Sequence, residues 1–216
     1  MENLSVRKIR SLCVFCGSSP GKDKEFVNAA SDLGKRLAER KIHLVYGGGS
    51  LGLMGCVSTA AHLGGSQVLG VVPTPLTVGN IIGTTVGEEL RVSSMHERIA
   101  RMIGNADAFI CLPGGFGTLE ELFQVTSWAQ LNIHQKPIGL LNINHFFDDL
   151  LSFLDKAVEQ HFISQSTREI LVTASTPDQL IDNLERFIYK PDPVIAQINW
   201  FGEETKKRKL DLTLRL

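Results

Sequence analysis

A chain of 216 residues with 43% hydrophobic and 21% charged residues has the length and composition of one globular domain with a sizeable core. Its 22 basic and 23 acidic residues leave a net charge of -1, which supplies no general field for nucleic acid or an anionic membrane as partner. No apolar run approaches the roughly 20 residues of a spanning helix, and residues 1–10 lack the apolar core of a secretory signal, so we expect an unprocessed cytoplasmic protein.

Strand-like apolar runs alternate with segments of helical period along the chain. Leu12 to Cys16 reads as a strand, followed by a helix over Glu25 to Arg40, where Phe26, Ala29, Ala30, Leu33 and Leu37 recur at helical spacing. Cys13 and Cys16 have redox or zinc spacing, but no second Cys/His pair follows, so we expect thiols packed as small hydrophobes and no metal. His43 to Tyr46 is a second strand, ended by Gly47-Gly48-Gly49. Leu53 to Leu63 reads as a helix, and Gln67 to Val72 as a third strand ended by Pro73. A long loop is expected from there to about Val92.

Ser94 to Gly104 reads as a helix, Ala108 to Leu112 as a strand and Leu119 to Leu131 as a helix. Then come a strand over Pro137 to Leu141, a helix over Phe146 to His161, a strand over Ile170 to Thr173 and a helix over Pro177 to Tyr189. Such alternation predicts a Rossmann-like, doubly wound α/β fold: a mostly parallel sheet with helices on both faces, in a single domain over residues 1–189. Residues 190–216 read as a flexible tail. Its cluster Lys206-Lys207-Arg208-Lys209 is expected to be solvated, with a nuclear address or an anionic contact as alternatives.

Chemistry concentrates in Pro113-Gly114-Gly115-Phe116-Gly117-Thr118-Leu119-Glu120-Glu121, between a strand and a helix. In open α/β sheets ligands bind there, and a helix start offers free N–H groups and a positive dipole end to an anion such as phosphate. The loop lacks the Gly-Lys-Ser/Thr of an NTPase loop and the spacing of a dinucleotide fingerprint. Two further strand ends, Gly17-Ser18-Ser19 and Gly47-Gly48-Gly49-Ser50-Leu51-Gly52, would complete a nucleotide-sized pocket.

Thr118 and Glu121 have capping-box spacing, so Glu121 reads equally as a helix cap or as a functional carboxylate. A carboxylate beside a phosphate loop suits ribosyl transfer, whose transition state is oxocarbenium-like. Upstream, Arg98 and Arg101 share a helix face and either could reach an anion. His96, His134 and His145 read as ordinary exposed helix residues.

The nonapeptide Pro113 to Glu121, the upstream Met95-His96-Glu97-Arg98, and the run Gly47 to Gly55 together resemble the LONELY GUY family. These are cytokinin riboside 5′-monophosphate phosphoribohydrolases, long mislabelled as lysine decarboxylases. The similarity extends from about Leu12 to Phe187 and includes Cys13 to Ser19 and Trp128-Ala129-Gln130-Leu131. It implies a homodimer that needs no cofactor and splits a nucleoside 5′-monophosphate into free base and ribose 5-phosphate. By position, Arg98 and Glu121 match the family's catalytic pair. Gly114, Gly115, Phe116, Gly117, Thr118, Leu119, Glu120 and Thr126 match its substrate contacts, as do the positions of Ile99 and Asn80. Gly48 and Met95 complete the candidate binding set. The chain departs from the family where it has Arg98-Ile99 in place of Arg-Lys, and Asn80 in place of an acidic residue. A non-catalytic nucleotide or cofactor carrier on the same fold is the competing reading.

Overall fold

In the computed structural model, which describes residues 7–193, 195–198 and 200, seven strands form one sheet. β1 (Ser11–Phe15) leads to α1 (Lys24–Glu39), β2 (His43–Tyr46), α2 (Gly52–Leu63) and β3 (Val68–Pro73). A helical-turn segment over Thr74–Asn80 precedes β4 (Glu88–Val92), α3 (Met95–Gly104), β5 (Ala108–Cys111) and α4 (Phe116–Gln130). β6 (Ile138–Leu141), α5 (Asp148–Glu159), α6 (Gln165–Arg168), β7 (Leu171–Ala174) and α7 (Pro177–Arg186) follow. The strand order is β4-β3-β2-β1-β5-β6-β7, and every pairing is parallel. The fold is a Rossmann-like single domain, with a wholly rather than mostly parallel sheet.

Alternation along each strand divides the core into two layers. Leu12, Val14, Leu44, Tyr46 and Ile110 pack with α1, α2 and α7, whereas Cys13, Phe15, Val45, Phe109 and Cys111 pack with α3, α4 and α5. β1, β2 and β5, covered on both faces, therefore read as the near-continuous apolar runs expected of a parallel sheet.

β4 corrects the long loop expected before Val92. Its sequence, Glu-Glu-Leu-Arg-Val, leaves only Val92 buried, because an edge strand needs apolar side chains only where it meets the layer beneath. Residues 1–6, 194, 199 and 201–216, the basic cluster Lys206 to Lys209 among them, lie outside the described residues. Within the segment after α7, the Tyr189 hydroxyl donates to Ala129 O and the Trp200 indole N–H to Leu131 O, both at the C-terminal end of α4.

The strand order reverses between β1 and β5, where the following connections diverge to opposite faces. The crevice outside the carboxyl ends of strands at such a reversal is the position in which open α/β sheets bind ligands.

Candidate active site

The loop after β5 is held by packing on one side and left open on the other. Gly17 N–H, from the loop after β1, donates to Pro113 O at 3.0 Å and ties the two loops across the switch point. A Cβ on Gly114 would overlap Thr118 Oγ1 and stand 2.9 Å from Gly17 N, so backbone and helix meet too closely for any side chain. Gly115 and Gly117 are different. A Cβ at either would have no protein atom within 4 Å among the described residues, and neither has a positive φ. Packing accounts for neither glycine, and the space beside both is open to an approaching ligand.

α4 begins at Phe116, three residues earlier than the periodicity predicts, with Gly115 as its N-cap and no capping side chain. Phe116, Gly117 and Thr118 thus form its first turn, and their amide N–H groups have no acceptor within the helix. An anion is the natural partner for such a group. The earlier start also removes the capping-box account of Glu121, which is now the sixth helical residue, a turn and a half inside.

Glu121 instead meets Arg98. Ser94 caps α3 by accepting Glu97 N–H, and the Glu97 carboxylate accepts Ser93 N–H and its hydroxyl at 2.8 and 2.7 Å. That double cap fixes the first turn of α3, one residue before Arg98. Arg98 Nη1 then lies 2.5 Å from Glu121 Oε1, with 12% and 9% of the two side chains exposed. Arg98 Nε donates to Val71 O of β3 at 3.3 Å, which aims the guanidinium over the sheet edge. Beneath it, a Cβ on Gly47 would overlap Arg98 Nη2 and stand 3.9 Å from Glu121 Oε1. Burial raises the Glu121 carboxyl above its ordinary value, and the Arg98 charge and hydrogen bond offset part of that rise.

The other predicted positions scatter around this pair. Gly48, at φ +79°, lies against Val72 and has no room for a Cβ. Phe116 is 94% exposed beside the open glycines, Glu120 and Met95 are exposed, and Leu119 is half-buried. The Thr126 hydroxyl donates to Leu122 O at 2.8 Å, one helical turn back. Ile99 is buried in the apolar layer with Met102. Asn80 ends the Thr74–Asn80 segment, and its side chain lies outside the described ones. Arg101 is exposed and pairs only loosely with Glu97, at 3.5 Å, so of the two arginines it is Arg98 that reaches the carboxylate.

His134 corrects the expectation of an exposed histidine. It is buried between the end of α4 and β6, with Nε2 2.9 Å from Val125 O and Nδ1 accepting Lys136 N–H. Burial pulls its pKa down to about 4. Cys13, Cys16 and Cys111 are buried free thiols, raised by desolvation and secondarily by the Glu121 charge. Sequence reasoning missed the closeness of Gly47 to Arg98, because the two are joined only through tertiary packing.

Fold and site together define a Rossmann-like α/β protein with an uncapped glycine-rich helix start after β5 and a buried arginine–glutamate pair beside the loop after β2. The family model described as "Possible lysine decarboxylase" matches residues 54–184. A rice protein named "Probable cytokinin riboside 5'-monophosphate phosphoribohydrolase LOGL6" (Oryza sativa subsp. japonica) is 54% identical over 91% of this chain and 79% of its own. The Arabidopsis thaliana "Cytokinin riboside 5'-monophosphate phosphoribohydrolase LOG3" is 51% identical over 92% and 93%. The chain belongs to the LONELY GUY family. Among solved structures, the "structure of Moco Carrier Protein from Chlamydomonas reinhardtii" aligns with a TM-score of 0.60 and 19% identity, covering 83% of this chain and 97% of that one. The "X-ray structure of TM1055" aligns at 0.61 and 20%, over 82% and 99%. These distant likenesses concern the fold alone.

Proposed function

We propose that the chain hydrolyses the N-glycosidic bond of N6-substituted adenosine 5′-monophosphates, releasing free base and ribose 5-phosphate. The observation that carries this reading is the buried Arg98–Glu121 pair, in a chain 54% identical to a relative named for that activity. A carrier built on this fold needs the glycine loops but has no use for a desolvated carboxylate, and holding one out of water costs free energy that the Arg98 partner offsets only in part.

In this reading the 5′-phosphate rests on the amides of Phe116, Gly117 and Thr118, with Gly115 and Gly117 leaving room for its oxygens. The C1′–N9 bond breaks with its electron pair leaving on the base. Water adds its oxygen to C1′, and a water proton ends on the base. Glu121 stabilises or traps the cationic ribose as positive charge develops. Arg98, always protonated, orients Glu121 and bears on the negative charge of the base or phosphate. Lysine decarboxylation by a pyridoxal group would need a suitably placed lysine. The half-buried Lys136 is instead committed to Ile103 O at 2.5 Å, at the C-terminal end of α3.

We extend the proposal to a cytoplasmic homodimer. Phe116 and Phe123 of α4 and Leu131 at its C-cap are exposed apolar side chains, and a second copy would cover them. The defining experiment incubates the protein with an N6-substituted adenosine 5′-monophosphate, the matching riboside and AMP, and follows free base. Hydrolysis confined to the monophosphates supports the reading. Equal turnover of riboside and monophosphate refutes the phosphate site, and binding without hydrolysis favours the carrier. Light scattering at micromolar concentration tests the dimer.

A further inference from the structure

Cleavage of a glycosidic bond by one direct attack of water needs a base on the far side of the sugar from the leaving group, with room for the water it activates. Glu121 is the one carboxylate among the buried side chains of the described residues. The acidic groups of the flanking elements are committed elsewhere. Glu97 of α3 accepts the Ser93 N–H and hydroxyl, and Glu89 of β4 accepts the Thr85 hydroxyl and Arg91 Nε. Glu120 and His96 are exposed, and each lies on a different face of its helix from its partner in the pair. The Tyr46 hydroxyl is engaged with Val86, and burial keeps the Cys13 and Cys16 thiols neutral.

Glu121 itself has the posture of a nucleophile. Arg98 Nη1 grips Oε1 at 2.5 Å, which fixes the carboxylate from one side. Oε2 takes no hydrogen bond from any described residue, yet it is not closed off from solvent. Only 9% of the side chain is exposed, so the free oxygen has little hydration to shed before it attacks. The same poor hydration lifts the carboxyl above its ordinary value. One oxygen is held and the other is available, and no described residue offers a second base.

We infer that the chain also transfers ribose 5-phosphate from one purine base to another, through an ester of Glu121. The inference rests on the proposed hydrolase reading and adds a second activity at the same site. Oε2 bonds to C1′ as the C1′–N9 bond breaks. The electron pair of that bond leaves on the base, which takes a proton from water. The ester keeps the sugar activated, and the space the base vacates fits a second purine as well as it fits water. N9 of the incoming base then bonds to C1′, the C1′–Oε2 electron pair returns to the carboxylate, and the N9 proton passes to solvent. Each step inverts C1′, so the product keeps the configuration of the donor.

The test supplies N6-benzyladenosine 5′-monophosphate as donor and deuterated adenine as acceptor, and follows deuterated AMP by mass spectrometry. Deuterated AMP should form from the nucleotide donor and not when ribose 5-phosphate replaces it. Glu121→Gln, prepared identically, should lower base release and transfer together, each by on the order of 10²-fold, which also excludes a contaminating transferase. With methanol as acceptor, the captured product should be the methyl β-riboside 5-phosphate. Free base released without deuterated AMP overturns the transfer, and a methyl α-riboside overturns the ester; both leave the hydrolase intact. Deuterated AMP formed equally from ribose 5-phosphate also overturns the inference, because it shows hydrolysis running backwards. A wild-type protein that releases no base from the donor removes the hydrolase reading and this inference with it.

Discussion

A side chain at Gly47 and the guanidinium of Arg98 cannot occupy their present positions together, because a Cβ there would overlap Nη2. Gly47 has no positive φ, so alanine is conformationally tolerated and the sole conflict is with a movable side-chain tip. Gly47→Ala should therefore push Arg98 off Glu121 while leaving the fold intact. We expect turnover to fall on the order of 10²-fold, as when one electrostatic partner of a transition state is removed. The melting temperature should stay within a few degrees of wild type. Undiminished hydrolysis would mean that the pair does not need its observed geometry.

The same pair sets a pH dependence. Burial raises the Glu121 carboxyl above its ordinary 4.5, and activity needs it ionised. As pH falls through the raised value the carboxylate protonates and turnover is lost, so the acid limb of the kcat/KM profile should lie above pH 4.5. Gly47→Ala, by moving the opposing Arg98 charge away, should shift the limb of its residual activity further upward. An acid limb below 4.5 would show Arg98 outweighing burial.

Gly115 and Gly117 offer a separation of binding from stability. With no protein atom near their missing Cβ positions and no positive φ, alanine at Gly117 should stabilise the chain by about 0.4–1 kcal/mol through the unfolded state, whereas alanine at Gly115 forgoes that gain because it caps a helix less well than glycine. KM for the nucleotide should meanwhile rise about tenfold, because the added methyls stand where the ligand approaches. Gly114→Ala should do the reverse and lower the melting temperature, since its Cβ would strike Thr118 and the loop after β1.

Much of the fold and the site's chemistry was legible in the sequence, because strands covered on both faces are short apolar runs and the glycine loops sit where those runs end. What escaped was decided by position or distance. β4 was hidden because Glu88, Glu89 and Arg91 face solvent on an edge strand, which erases the apolar signal. The capping-box reading of Glu121 came from placing the start of α4 at Leu119. Phe116 and Gly117 look like loop residues, yet the helix starts there with glycine as its cap, and the carboxylate moves inside. The burial of His134 depends on a turn that brings it under Val125, nine residues back, and against the ring of Phe109.

His134 should appear in the stability profile. Its pKa is about 4 in the folded chain against an ordinary 6.5, so between those values the unfolded chain binds more protons and folding weakens as pH falls. The loss should approach about 3 kcal/mol by pH 4. His134→Gln, which can still donate to Val125 O and accept Lys136 N–H, should flatten that part of the curve. Denaturant melts of both proteins between pH 7 and pH 4.5 check it, and parallel curves would assign the acid sensitivity to other groups.

The most direct test is Glu121→Gln, read by hydrolysis of an N6-substituted adenosine 5′-monophosphate and by thermal melting of the same sample. A raised carboxyl pKa means that the ionised form is held in the folded chain at a cost, so neutralising it relieves the fold at neutral pH. Glutamine keeps an oxygen for Arg98 but carries no charge to meet a cationic ribose. We expect turnover lower by on the order of 10²-fold or more, with a melting temperature equal to wild type or above it. Near-normal hydrolysis with a lowered melting temperature would contradict the catalytic assignment and reduce Glu121 to a structural partner of Arg98.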